Sequence, residues 1–200
     1  MRSGIRKKVT IFREYRRNAR EIGSIVRDSS ACVDALLRGV PFDGSSVIIE
    51  FGAASGKVTR EIIKRKKAET VFISFEKNRN LHDQLTNDIK GDSISLLHRD
   101  AFECTRVISE LFGLGEKSVD CIVSTLPCSC IDFDGLLRRS VLPVLKDSGC
   151  FVQYTHTLSL LKGFNLEALL AQHFADLQPD LVLRNIPPAL VYTCRAPRRS

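Results

Sequence analysis

No apolar run in the 200-residue sequence approaches the roughly 20 residues that a helix needs to cross a bilayer, and the N-terminus lacks the hydrophobic core of a secretion signal. Both absences lead to the expectation of an intracellular protein. The seven cysteines, an odd number, form no CxxC pair. Most fall in or beside apolar stretches, where Cys serves as a small hydrophobe, so a reducing compartment is the simplest reading. Cys128 and Cys130, in Pro-Cys-Ser-Cys, have no second pair and no histidine at ligand spacing. No metal site is expected there. The sequence also lacks internal repeats and low-complexity tracts.

What is present is the composition of a soluble globular chain, 44% hydrophobic and 26% charged, long enough to bury a real core. Its net charge of +7 belongs to one segment: residues 1–27 hold nine Lys or Arg against two Glu, and the rest holds 21 of each sign. Within that segment Ile5, Val9, Phe12, Tyr15, Ala19, Ile22 and Val26 recur at steps of three and four, which predicts a helix with one apolar stripe and arginine-rich flanks. Such a helix either lies in the headgroup region of an anionic membrane or packs its stripe on the domain. Asp28, Ser29 and Ser30 predict the start of a second helix, and Gly39 and Pro41 predict its end. The chain accordingly divides into an N-terminal helical segment, 1–44, and a core, 45–200.

The core is organised around Val47 to Thr59, Val-Ile-Ile-Glu-Phe-Gly-Ala-Ala-Ser-Gly-Lys-Val-Thr. A buried strand runs into a glycine-flanked turn that opens a helix, the geometry of a nucleotide-type cofactor site. Gly52 and Gly56 let the backbone turn sharply and approach a ligand. Glu76 ends the next apolar strand, about 20 residues on, where a carboxylate accepts from ribose hydroxyls. Glu50 stands just ahead of the turn. A carboxylate there would repel a dinucleotide's pyrophosphate but tolerates S-adenosylmethionine, which carries a sulfonium and an amine and no phosphate.

Strands and helices then alternate: predicted strands at Thr70–Glu76, Ile94–Asp100, Val119–Pro127, Cys150–His156, Leu181–Ile186 and Ala189–Arg195, with helices opening at Val58, Leu81–Ile89, Val107–Leu111, Phe133–Leu145 and Leu166–Phe174. This predicts an α/β fold with a doubly wound, mostly parallel seven-stranded sheet, ligands at the carboxyl ends of its strands. Only Pro187 and Pro188 separate the last two apolar segments, which predicts a closing antiparallel hairpin. Asp100 stands where a carboxylate accepts from an adenine amino group, or equally caps the following helix. Ser124, Leu126 and Pro127 close the strand at which methyl donor and acceptor would meet, and the carbonyls ahead of the proline orient an amine. Tyr154 and His156, at the end of the following strand, are candidates for contacting the acceptor or its phosphate. Arg184 and Asn185 are weighed as phosphate ligands against solvated-Arg and turn-Asn roles.

The stretches Phe12–Ser30, Ile48–Ile62, the strand ending at Glu76, Arg99–Phe102, Ile122–Pro127, Val141–His156 and Arg184–Tyr192 together resemble the bacterial phospholipid N-methyltransferases, Rossmann-like class I enzymes that use S-adenosylmethionine to methylate phosphatidylethanolamine. The resemblance implies that Glu50, Gly52, Gly56, Glu76, Asp100 and Ala101 bind S-adenosylmethionine, and Ala53, Lys77 and Ser124 are expected to line the same site. It implies that Ser124, Leu126 and Pro127 frame the acceptor and that the basic N-terminal helix docks on anionic lipid, expected at the inner face of the membrane. A phospholipid substrate is expected, without nucleic acid or metal. Two departures stand out: Ala54 replaces the central glycine of the turn, and Asp28-Ser29-Ser30 stands where the family has Pro-Ser-Ser. Three alternatives remain beside this reading. One is a methyltransferase of another small-molecule or peptide amine. A second is an rRNA adenine N6-dimethyltransferase, disfavoured because Thr125 and Cys128 occupy the places of an Asn or Asp and an aromatic. The third is a non-catalytic binding protein on the same fold.

Overall fold

A computed structural model describes residues 29–157, 164–185 and 188–198. The basic stripe from Ile5 to Val26 lies outside the described residues. Ser29 caps the first described helix, α1 (Ser30–Arg38), its hydroxyl accepting from the Cys32 amide at 3.2 Å. There follow β1 (Val47–Phe51), α2 (Lys57–Arg65), β2 (Val71–Phe75), α3 (Arg79–Asp88), β3 (Ile94–Leu97), α4 (Cys104–Phe112), β4 (Val119–Ser124), α5 (Phe133–Leu136), β5 (Leu145–His156), α6 (Leu166–His173), β6 (Phe174–Val182) and β7 (Ala189–Pro197). The seven strands form one sheet in the order β3-β2-β1-β4-β5-β7-β6. The first five pair in parallel and β7 runs antiparallel to both neighbours, as the sequence led us to expect.

The strands β1 and β4 are apolar on both faces because both faces are covered. On one side Ile49, Phe51, Ile73, Leu136, Phe151 and Phe174 form a core beneath α4, α5 and α6, with Phe151 and Phe174 stacked at 5.9 Å. On the other, Ile48, Phe72, Val123 and Val152 meet Leu36 of α1 and Ile62 of α2. Five residues of α1 are buried in this second core, so the described part of the 1–44 segment packs as one body with the sheet. Six of the seven cysteines are buried and all are free thiols, consistent with their role as small core residues.

Two boundaries differ most from expectation. The helix expected over Phe133–Leu145 is α-helical only to Leu136, then widens into a π-helical turn, Leu137–Val141, in which the Leu142 amide reaches the Leu137 carbonyl at 2.8 Å. Pro143 has no N–H with which to continue, and Leu145 already opens β5. The strand expected over Leu181–Ile186 is instead β6, which begins at Phe174 and ends at Val182, leaving Leu183–Asn185 in the connecting turn. Polar Asp176, Gln178 and Asp180, and Pro179 opposite Tyr192, are tolerated because β6 is the sheet edge and pairs on one side only.

Candidate active site

The turn after β1 is built on left-handed backbone: φ is +84° at Gly52, +47° at Ala54 and +76° at Gly56. A Cβ at Gly56 would fall 2.0 Å from Leu85 Cδ2, so glycine is demanded there by space as well as conformation. Ala54 adopts a conformation costing an L-residue on the order of 1 kcal/mol. Its amide donates to Glu76 Oε2 at 2.8 Å, a charge-assisted bond that offsets the cost. Glu76 Oε1 accepts from the Asn78 amide at 2.7 Å, so this carboxylate ties the β1 turn to the start of α3. Each of its oxygens retains a further lone pair for a ligand hydroxyl. Ala53 and Ala101 are buried at the bases of their turns.

Beyond Glu76, Lys77 and Asp100 form an ion pair at 2.5 Å on the wall of an open pocket of about 550 Å3 that His98, Arg99, Glu103 and Arg106 complete. Asp100 Oδ1 also accepts from the Phe102 amide at 3.1 Å, and with Glu103 it makes a reciprocal cap on the 3-10 turn Ala101–Glu103. The capping role weighed from the sequence is therefore realised, and Oδ2 faces Lys77.

Glu50 is wholly buried on the α1 and α2 side of the sheet. Its Oε2 accepts from Thr59 Oγ1 at 2.7 Å and from Ser74 Oγ at 2.6 Å, while Oε1 has no hydrogen-bond partner among the described residues. Burial raises its carboxyl from an ordinary 4.5 to about 7, against the lowering effect of the two hydroxyls. A carboxyl whose folded value is raised contributes stability that is complete below about 4.5 and is lost as pH climbs through about 7. Thermal unfolding of the ligand-free protein from pH 5 to 8 should show a decline on the order of 3 kcal/mol. Glu50→Gln should flatten that decline; an unchanged slope would mean that Glu50 does not titrate in this range.

The end of β4 is stitched to its neighbours. The Thr125 amide donates to the Phe51 carbonyl at 3.1 Å and its hydroxyl to the Gly52 carbonyl at 2.7 Å. The Leu126 amide donates to Ser124 Oγ at 3.3 Å, and Leu126 itself lies over Gly52, where an added Cβ would meet its Cδ2 at 3.0 Å. Pro127 leads into a short 3-10 turn, Cys128–Cys130. The predicted cofactor and acceptor residues of β1, β2 and β4 are thus brought to one rim. Reading the sequence missed Gln153. This residue is fully buried in β5, opposite Ser124 in the strand register, and its Nε2 donates to the Leu126 carbonyl at 3.0 Å. The one available signal was a polar letter inside the apolar strand Cys-Phe-Val-Gln-Tyr.

Tyr154 and His156 also end β5, but strand alternation places them with Val152 on the α1 face, opposite the face of Ser124 and Gln153. The Tyr154 hydroxyl lies within 3.1 Å of both ring nitrogens of His156. The two approach the rim from the other side and do not meet Ser124 directly. Asn185 is buried in the β6–β7 turn and its Oδ1 accepts from the Ser29 amide at 3.3 Å, the turn-and-anchor role, whereas Arg184 is exposed. Among the described residues no three His, Cys, Asp or Glu gather as metal ligands, and no helix is long and apolar enough to cross a membrane.

No protein-family model matches the sequence. A curated relative, the ornithine lipid N-methyltransferase of Singulisphaera acidiphila, is 26% identical over 185 residues, covering 90% of this chain and 91% of the relative. Among solved structures, the precorrin-6y C5,15-methyltransferase of Geobacter metallireducens superposes with a TM-score of 0.62 at 15% identity over 88% of this chain and 91% of its own. The 1,6-didemethyltoxoflavin-N1-methyltransferase of Burkholderia thailandensis, solved with bound 1,6-didemethyltoxoflavin and S-adenosylhomocysteine, superposes with a TM-score of 0.63 at 16% identity over 94% of this chain and 86% of its own. The fold and strand order are those of the class I S-adenosylmethionine-dependent methyltransferases. The chain's residues fit that cofactor: a left-handed turn that a side chain would crowd, a carboxylate at each of two strand ends, and a buried Glu50 oxygen with no donor among the described residues.

Proposed function

We propose that this chain is an S-adenosylmethionine-dependent N-methyltransferase whose acceptor is the amine of a membrane lipid, phosphatidylethanolamine in the first instance. The observation that carries the reading is the near end-to-end likeness to a methyltransferase named for a lipid amine. Glu76 would hold the ribose of the cofactor, Asp100 and Lys77 would border its adenine, and Glu50 would lie beneath its amino acid end. When bound, the cofactor supplies an electrophilic methyl on a sulfonium. The protein's own work is modest. The Leu126 carbonyl and the Ser124–Pro127 loop would hold the amine at the rim, with the Leu126 side chain packed over Gly52. The amine must shed a proton to expose its lone pair, and holding it beside the methyl contributes up to about 7–11 kcal/mol in the best-oriented cases. His156, hydrogen-bonded to Tyr154 on the other face of the sheet, would reach that proton only through water, or would meet the headgroup phosphate.

The N-terminal basic segment supplies the membrane contact in this reading. Ser29, which continues from it, is held by Asn185 in the β6–β7 turn at the carboxyl rim, so the segment attaches on the side where the site lies. Co-sedimentation with anionic vesicles should fall with salt and with charge reversal at Arg13, Arg16 and Arg17; salt-independent binding would reject the electrostatic contact. The reading as a whole is tested by incubating the enzyme with labelled S-adenosylmethionine and vesicles of phosphatidylethanolamine, vesicles of ornithine lipid, or soluble amines. Label in phosphatidylethanolamine supports it. Label in ornithine lipid alone moves the acceptor to the relative's, and label only in soluble amines removes the membrane from the account.

A further inference from the structure

Gln153 carries two observations that its place in the core does not require. Its Nε2 donates twice, to the Leu126 carbonyl at 3.0 Å and to the Tyr154 carbonyl at 2.5 Å. Both amide hydrogens are thereby used, and the orientation of the group is fixed, because a flipped amide would turn its oxygen onto two carbonyl oxygens. Its Oε1 is then an obligate acceptor, and among the described residues nothing donates to it although it is buried. Buried acceptors without a donor are uncommon because each forfeits its hydration, so an isolated one at the rim of a site calls for a ligand that brings the missing donor. The residue stands opposite Ser124, beside the loop at which the acceptor amine is placed.

We infer that Gln153 is an acceptor-binding residue: Oε1 accepts a hydrogen bond from an N–H of the incoming amine, while Nε2 holds the Leu126 carbonyl steady as a second acceptor for the same group. This rests on the amine-acceptor reading above and deepens it. Two neutral acceptors suit a group that arrives as an ammonium and leaves one proton behind, since neither traps it as a fixed anion would. They also discriminate against hydroxyl acceptors, which offer a single hydrogen for two oxygens.

One substitution and two ligands separate binding from scaffolding. Gln153→Met keeps the volume and gives up both donor and acceptor, and glycerophosphocholine, which offers no N–H, serves as the comparison ligand. Binding of glycerophosphoethanolamine and of glycerophosphocholine to the full chain with S-adenosylhomocysteine present is measured by titration calorimetry, alongside affinity for S-adenosylhomocysteine itself. The expected result in Gln153→Met is a tenfold or greater loss of affinity for glycerophosphoethanolamine, a loss at least severalfold smaller for glycerophosphocholine, and cofactor-product affinity within about twofold of wild type. Glycerophosphoethanolamine affinity unchanged in Gln153→Met would overturn the inference. Equal losses for the two ligands would also overturn it, leaving only the tie to Leu126. Wild-type protein that binds S-adenosylhomocysteine but no amine headgroup would instead remove the amine-acceptor reading and this inference with it.

Discussion

Glu76→Ala is expected to cost at least about 100-fold in affinity for S-adenosylhomocysteine, the sum of two hydrogen bonds to a charged acceptor at roughly 1.5–3 kcal/mol each. The loss is compounded because the same carboxylate orders the cradle. It holds the Ala54 amide, which stands in a left-handed conformation, and the Asn78 amide at the head of α3. Glu76→Gln retains one acceptor oxygen and should fall between the two. Circular dichroism on the same samples separates the loss of ligand from the loss of fold. Affinity unchanged in Glu76→Ala would displace the ribose from this strand end and with it the assignment of the cradle.

Gly56→Ala should be strongly destabilising. The new Cβ meets two penalties at once, a φ of +76° costing about 1–2 kcal/mol and a 2.0 Å encounter with Leu85 Cδ2 that forces α3 to repack at about 1–3 kcal/mol. The unfolding midpoint should drop by about 10 °C, at roughly 2–4 °C per kcal/mol for a domain of this size. Gly44→Ala is the control, since a Cβ there meets nothing within 4 Å. Equal effects of the two substitutions would mean that the turn is not held in the conformation described.

The cradle was legible because its chemistry leaves few residues free to vary. Sharp left-handed turns call for glycine, and Gly52 and Gly56 have positive φ; Glu76 stands at the end of β2, where the proposed reading needs a carboxylate for a ribose. The sheet was legible for a similar reason, as β1, β2, β4 and the second half of β5 are largely buried and read as mostly apolar runs broken only by single polar residues such as Glu50, Ser74 and Gln153. The edge escaped because β6 is covered on one side only, so that Asp176, Gln178, Pro179 and Asp180 look like loop while Leu181 and Leu183 look like strand. The break in α5 escaped too, since Leu, Val and Arg are as content in a π-helical turn as in an α-helical one, and only Pro143 marks the stop. Gln153 had no spacing to announce it. Its meaning lies in which hydrogen bonds it makes and which it leaves unmade, and those exist only once β4 and β5 are side by side. Asp100 shows the converse. Both readings of it were visible, and the cap to Phe102 can coexist with a ligand on the other oxygen, provided Lys77 yields its place.

The most direct test of the central claim is transfer of labelled methyl from S-adenosylmethionine into the lipid extract of phosphatidylethanolamine vesicles, wild type beside Glu76→Ala. Label in mono- or dimethylated lipid with the wild-type chain, and background with the variant, is the expected result. Wild-type protein that binds S-adenosylmethionine yet leaves every lipid amine unlabelled would contradict it.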